Sequence, residues 1–316
     1  MDLSVVLVSY NTKNLLNDCL RSFFEQTVGL SYEVFVVDNA STDGSVAMVE
    51  TEFPQVELIR NKENVGFARA NNQAIRRSNG RYILLLNSDT LVLNDGLTKM
   101  VLYIEEHPKV GVMGCKVLYP DGTTQTSNNA FPNLFTEFLR IMQVSKLISN
   151  TRLRTILGVK LGRFLGRSIN EYLRVYWDSE RIREVDWVTA ACLLVRRKAL
   201  DDVGLLDEGF FMYYEDTDLC LRIRQHGWKI MYFPHFSIMH YGGYGQNKGS
   251  YNQLEDLERH RSRFHYFRKH APPLERLCLR ILIIIAMFAR LALYFIDKEK
   301  RLAHLNILRL SLSQPL

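Results

Sequence analysis

The chain has 316 residues, 47% of them apolar, and carries 40 Lys and Arg against 34 Asp and Glu for a net charge of +6. That length and composition leave room for one large α/β domain with an appendage, or for two smaller domains, and exclude wholesale disorder. The cysteines Cys19, Cys115, Cys192, Cys220 and Cys278 are too scattered for a disulfide framework or a structural zinc site. They read as small buried apolar groups in a reducing compartment.

The N-terminus enters a strand directly, with no basic start, apolar core or cleavage pattern before it, so a cleaved signal peptide is not expected. Val5-Val6-Leu7-Val8 is a continuous apolar run, as in a strand buried on both faces. Leu15, Leu16, Cys19, Leu20 and Phe23 then recur at helical spacing. Val34-Phe35-Val36-Val37 predicts a second buried strand ending at Asp38, and Ser41-Thr42-Asp43 a turn and helix start. Val56 to Ile59 predicts a third strand, Phe67 to Ser78 a helix, and Tyr82 to Leu86 a fourth strand. A helix from Asp95 to Glu106 leads to a strand over Val110 to Cys115. Strands separated by helices of this length imply a mostly parallel sheet covered on both faces.

In such sheets ligands bind beyond the carboxyl ends of the strands. Ser9-Tyr10-Asn11, Asp38-Asn39 and Asn87-Ser88-Asp89 all fall at that edge. Each group alone would pass for a cap or turn; their co-location is the argument for a site. From Phe131 to Arg174 the pattern turns helical and basic, with seven Lys or Arg and no acid between Phe138 and Asn170, and reads as an insertion. Strand character returns at Asp186-Trp187-Val188 and Cys192 to Val195. Asp216 to His226 predicts a helix stopped by Gly227, Lys229 to Phe233 a strand, and His240 follows it.

Several segments resemble family-two glycosyltransferases. Val5 to Asn11, Val36-Val37-Asp38-Asn39, Ser41-Thr42-Asp43-Gly44 and Asn64-Val65-Gly66-Phe67-Ala68 look like their nucleotide-binding half. Asn87-Ser88-Asp89 is similar to their DXD motif, with Asn87 in place of the first carboxylate. Glu215-Asp216-Thr217-Asp218 with Arg222, and His240-Tyr241-Gly242-Gly243, resemble the acceptor half. The likeness runs from Leu3 to Gly243 and is nearest to the bacterial rhamnosyltransferase-like enzymes of cell-surface polysaccharide synthesis.

The resemblance implies a GT-A fold, a Rossmann-like sheet flanked by helices, that binds a nucleotide-sugar with Mn²⁺ or Mg²⁺ and inverts the anomeric carbon. Asp89 and His240 are then the expected metal ligands, and Ser9, Asn11, Asp38, Arg69, Ser88 and Asp89 the donor-binding set. Asp38 suits the N3–H of uracil or thymine, as in a dTDP- or UDP-sugar. Asp216 is the expected general base, with Glu215 facing another way and Asp218 capping or supporting. Trp187 reads either as a sugar-stacking or as a core residue, and Asp207 as holding the loop before the base.

The expected division is a catalytic domain over 1–250 (donor half 1–120, basic insertion 131–174, acceptor half 186–250) and a helical region over 251–316. From Arg259 onward twelve Lys or Arg face three acids. Ile281 to Ala289 is apolar between Arg280 and Arg290, roughly 14 Å as a helix and too short to span a bilayer. On one continuous wheel Arg276, Arg280, Arg290, Lys298 and Arg301 form a basic stripe, which predicts a helix lying in an anionic membrane surface or packed on protein. The expected location is therefore cytoplasmic, peripheral to the inner face of the cell membrane, with a glycan or polyprenyl-linked glycan as acceptor and a homo-oligomer through the C-terminal helices as an open alternative. A sugar-phosphate nucleotidyltransferase and a basic nucleic-acid-binding protein are the rival readings. The first lacks a Gly-rich basic loop after Ser9, the second any recognisable reading motif.

Overall fold

The computed structural model describes residues 1–141, 180–242, 253–293 and 298–313. Most of the expected basic insertion, and Gly243, lie outside the described residues. The chain forms two compact units. The first comprises Met1–Asn129, Asp178–Glu208 and Glu215–Lys248; the second comprises Ala130–Trp177, Gly209–Tyr214 and Gly249–Leu316. Of the segment expected as an insertion, the described residues 131–141 group with the C-terminal helices.

In chain order the elements begin β1 (Leu3–Ser9), α1 (Lys13–Gln26), β2 (Tyr32–Asp38), α2 (Ser45–Glu52), β3 (Glu57–Arg60) and α3 (Phe67–Arg77). β4 (Tyr82–Leu86), β5 (Thr90–Val92), α4 (Gly96–Glu106), β6 (Val110–Leu118), β7 (Thr124–Gln125) and β8 (Asn128–Asn129) follow. After α5 (Leu134–Ile141), which belongs to the second unit, come β9 (Arg183–Glu184), β10 (Trp187–Val188) and β11 (Cys192–Arg196). The first unit closes with α6 (Arg197–Val203), α7 (Glu215–Gln225) and β12 (Lys229–His240).

The main sheet of the first unit runs β3-β2-β1-β4-β11-β6-β12-β5, with β7 on β6 and β9 on β12, while β8 and β10 form a separate pair. β1 pairs in parallel with β2 and β4, and β2 with β3. The strand–helix alternation read from the sequence therefore holds for this half. β11 enters antiparallel between β4 and β6, so the sheet is mixed. Its five residues Cys192 to Arg196 carry no pattern that tells strand direction, which only the pairing decides. β1, β4 and β11 are apolar along their whole inner length because helices cover both faces.

Register places the edge residues. Ser9 lies opposite Asp38 on β2, and Val6 opposite Leu85 on β4, so Ser9 is level with Ser88. β12 extends well past Phe233, where the sequence pattern stops. Its pairing with β6 slips between Phe233 and Ser237, across Pro234, and then resumes. A proline has no N–H for the ladder, and a bulge absorbs it. The continued strand pairs antiparallel with β5 and sets His240 opposite Thr90, next to Asp89.

The second unit consists, among the described residues, of α5, the stretch 209–214, α8 (Gln253–His270), α9 (Pro273–Leu293) and α10 (Lys298–Ser313). Glu137 of α5 is fully buried. Its carboxylate meets Arg263 Nε of α8 at 2.8 Å and Arg140 Nη1 at 2.8 Å, and accepts from Tyr214 Oη at 3.2 Å. Asn133 Oδ1 caps α5 by accepting from the Phe135 and Thr136 N–H groups.

The single basic stripe expected at the C-terminus is not formed. α9 ends at Leu293 and Lys298 opens α10, so Lys298 and Arg301 sit on a different helix from Arg276, Arg280 and Arg290. The α9 arginines are half-buried, and Arg290 donates to the Ile141 carbonyl at the end of α5. That carbonyl belongs to the electronegative end of a helix and draws the cation inward. Among the described residues, no helix is long and apolar enough to cross a membrane.

A Cβ at Gly114 on β6 would lie 2.5 Å from Val188 Cβ, a distance that real side chains do not adopt. Gly114→Ala should therefore lower stability by about 1–3 kcal/mol through overpacking. Adding Val188→Gly, which removes the opposing Cβ itself, should relieve the clash and restore part of that loss, as measured by denaturant unfolding of both variants.

Candidate active site

The edge formed by β1, β2 and β4 collects small polar groups on apolar strands. The Ser9 hydroxyl lies 3.0 Å from Thr12 Oγ1, which is 3.1 Å from Ser88 Oγ, so one hydroxyl chain joins the ends of β1 and β4. Asn11 takes a left-handed conformation (φ 53°), as an asparagine readily does, and its Oδ1 accepts from the Thr42 N–H at 2.8 Å. Ala40 is also left-handed (φ 67°), which costs a residue with a Cβ about 1 kcal/mol and fixes the turn after Asp38. Asp38 is buried. Its Oδ2 accepts from the Ser41 N–H at 2.9 Å, but its Oδ1 has no partner. A buried acceptor left without a partner costs about 1–3 kcal/mol, so its retention marks a place where a ligand donor would be rewarded.

Asp89 and His240 meet across β4 and β12. Asp89 Oδ1 is 3.2 Å from His240 Nε2, and Asp89 Oδ2 accepts from the Gly242 N–H at 3.1 Å. The other ring nitrogen, Nδ1, lies 2.9 Å from Gln125 Oε1 of β7. An amide oxygen only accepts, so Nδ1 donates to it and Nε2 is left to face Asp89. Two lone-pair donors at that separation call for a proton or a cation between them. For a divalent ion with ligand bonds of about 2.1 Å, adjacent ligand atoms lie about 3 Å apart. The donor set thus fits Mn²⁺ or Mg²⁺. Asn87 Nδ2 lies 3.3 Å from His240 Nε2, while its buried Oδ1 has no partner. Burial works to raise the Asp89 carboxyl, but with a proton between the two groups the hydrogen bond and charge of His240, together with the Gly242 N–H, outweigh it and hold Asp89 below its ordinary value. Among the described residues, no group of three or more His, Cys, Asp and Glu gathers as a metal cluster.

The second carboxylate site opens α7. Asp216 Oδ2 accepts from the Ala190 N–H at 3.0 Å, and its Oδ1 from the Thr217 N–H and hydroxyl at 2.6 and 3.1 Å. Burial raises the Asp216 carboxyl, these hydrogen bonds pull it back in part, and the net shift is upward. Glu215 is equally buried, and its Oε2 has no partner. Burial first, and the Asp216 charge second, push it well above the usual carboxylate range. The two side chains do point to different surroundings, as their adjacency on a helix requires.

Asp218 is fully buried against Arg222 Nε at 2.8 Å, and so supports the helix rather than capping it freely. Arg222 also donates to the carbonyls of Val203 and Leu205, each at 2.8 Å, which pins the loop before α7. Asn72 holds the same loop by exchanging hydrogen bonds with Leu206, the residue before Asp207. Trp187 is half-buried on β10, paired with Asn129. Arg69 is exposed on α3, 3.8 Å from Glu208. Sequence reasoning missed Gln125 and Ala190, because a two-residue strand and a backbone N–H carry no signal of their own.

The profile of the glycosyl transferase family 2 matches residues 4–160. This chain belongs to that family. Among its relatives is the N-acetylglucosaminyl-diphospho-decaprenol L-rhamnosyltransferase of Mycobacterium tuberculosis, 27% identical over 267 residues and 80% of each chain. The rhamnosyltransferase WbbL of Escherichia coli is 29% identical over 183 residues, 56% of this chain and 61% of that one. The mannosyltransferase of Pyrobaculum calidifontis, solved in complex with GDP-Man and Mn²⁺, superposes with a TM-score of 0.57 at 18% identity, over 99% of this chain and 76% of its own. The fold is accordingly GT-A-like, with a mixed central sheet flanked by helices and a C-terminal helical extension. As a family 2 glycosyltransferase the protein is an enzyme, which sets aside both the nucleotidyltransferase and the nucleic-acid-binding readings.

Arg222→Met should destabilise the first unit by about 3–5 kcal/mol, since it strands the buried Asp218 charge and frees the loop carbonyls. Asp218→Asn in the same background should recover part of the loss, a double-mutant comparison that denaturant unfolding can read.

Proposed function

We propose that this family 2 enzyme is a metal-dependent, inverting glycosyltransferase that moves a sugar from a pyrimidine-diphosphate donor, dTDP-rhamnose before a UDP-hexose, to a lipid-linked glycan. It works at the cytoplasmic face of the membrane. The observation that carries the reading is the Asp89–His240 donor pair at the strand edge that also holds the unpartnered Asp38 Oδ1. The rhamnosyl and lipid-linked parts rest on the names of the relatives from Mycobacterium tuberculosis and Escherichia coli.

Asp38 Oδ1 accepts the N3–H of uracil or thymine, a donor that cytosine lacks at that position. Ser9, Asn11 and Ser88 line the floor beside it, and Arg69 would reach the diphosphate only after leaving Glu208. Asp89 and His240 hold Mn²⁺ or Mg²⁺, and Gln125 fixes the ring that supplies the second ligand. An ion held there would supply the charge that neutralises the diphosphate leaving group. Asp216 takes the proton from the acceptor hydroxyl while that oxygen bonds to the anomeric carbon and the bond to the diphosphate breaks, which inverts the centre. The Ala190 and Thr217 donors aim the Asp216 carboxylate, and burial makes it a stronger base than an exposed one. Burial, and then the Asp216 charge, push Glu215 well above the usual carboxylate range, which disfavours a second negative charge beside the base.

The deciding experiment is a hydrolysis and transfer panel of dTDP- and UDP-sugars with each metal. Turnover of dTDP-rhamnose above the UDP-hexoses supports the donor assignment, and the reverse order replaces it. Asp89→Asn should abolish metal-dependent UDP or dTDP binding in calorimetry while the fold persists. Gln125→Ala should weaken apparent metal affinity by about 10–100-fold without touching a ligand.

Asp216→Asn should keep nucleotide-sugar affinity and lose at least about 100-fold in transfer. Because the raised Asp216 carboxyl must be ionised to act, kcat/KM should climb with pH through a limb lying above the ordinary carboxylate range and flatten beyond it. Glu215→Gln should retain that limb. Loss of the limb in the Glu215 variant, with its retention in the Asp216 variant, would move the base to Glu215.

A further inference from the structure

Helix α9 shows solvent the wrong face for a soluble helix. Leu274, Leu277, Ile281, Ile285 and Phe288 recur three and four apart and are 70%, 39%, 47%, 61% and 58% exposed. They form one stripe about 21 Å long. Leu279, Ile283 and Met287 on the opposite side are fully buried, which satisfies the ordinary apolar demand of the helix. The charged residues of α9, Glu275, Arg276, Arg280 and Arg290, are all half-buried, so none of them interrupts the stripe. An exposed apolar strip of this length and purity marks a contact surface.

We infer that this stripe is the surface by which the enzyme enters the outer part of an anionic lipid bilayer, with α9 lying in the membrane plane. The inference deepens the membrane attachment proposed above by assigning it to one helix face, and rests on that reading only for the choice of membrane. Two features favour lipid over protein. The stripe is wholly aliphatic and aromatic, whereas protein interfaces surround an apolar centre with hydrogen-bonding groups. Exposed charge in the same unit is also complementary to anionic head groups: Arg268 and Lys269 are exposed near the end of α8, shortly before α9, and Arg309 is exposed on α10. Phe135 and Phe138, 44% and 42% exposed on α5, add apolar surface to the same unit. In this geometry the α9 arginines serve the protein interior, and the insertion itself is hydrophobic. Salt therefore weakens binding only in the part that the flanking cations supply.

The test uses the full chain and vesicles of phosphatidylcholine containing a minority of phosphatidylglycerol. Wild type should co-sediment. Ile281→Glu with Ile285→Glu should bind at least about tenfold more weakly, since both side chains lose their apolar transfer and bring charge into the interface. Val28→Glu, at a 63% exposed apolar position of the first unit, should bind like wild type. UDP binding with Mn²⁺ should be unchanged in all three proteins. Equal sedimentation of wild type and the double variant, or no sedimentation of wild type, overturns the inference. So does a wild-type dimer in light scattering that the double variant converts to monomer, because a second copy then covers the stripe. Failure of nucleotide binding with vesicle binding intact would instead overturn the donor-site reading and leave this one standing.

Discussion

The parallel pairing of β1 with both β2 and β4 is the constraint on which the donor edge depends. In parallel strands the carboxyl ends finish on the same side, so three polar segments separated by tens of residues arrive together. Apolar burial on both faces locks the register, since slipping by one residue would exchange every side chain between two helical layers. The hydroxyl chain from Ser9 through Thr12 to Ser88 then closes the seam between β1 and β4. Asp38 is left with one oxygen satisfied and one open.

The proposed metal side of the site depends on a defect in the opposite half of the sheet. β12 must slip its pairing around Pro234 before it can continue to His240. Without that bulge the strand would stop near Phe233, and the histidine would be carried by a free loop. With it, the imidazole is clamped from behind by Gln125 and faces Asp89. A rigid ligand pair spares the binding energy that would otherwise be spent on ordering it.

The carboxylates of α7 follow a different economy. Asp218 is neutralised by Arg222 and serves packing. Asp216 is surrounded by donors yet remains shifted upward, and Glu215 has no compensating donor for its Oε2. Three acids within four positions therefore have three electrostatic roles, set by what each side chain meets. Buried charge of this kind is costly to folding, and its concentration at one helix start is what a reactive site tolerates and a structural cap does not need.

Local sequence was enough for much of this. The apolar runs at Val5, Val34 and Tyr82, and the polar triplets after them, determined the donor edge because burial and strand period act over neighbouring residues. Asp89, Asp216 and His240 were singled out by residue type and by the family pattern around them, and the structure brings the first and last of these together. The direction of β11, the extension of β12 beyond Pro234, the Gln125 contact and the Ala190 donor were not, since each depends on which distant strand lies alongside. The C-terminal region shows the limit best. Composition identified an apolar helix with arginines, but a wheel cannot tell which side faces in. Tertiary packing decided that, by giving Arg290 a helix-end carbonyl to bind and leaving Ile281, Ile285 and Phe288 in the open.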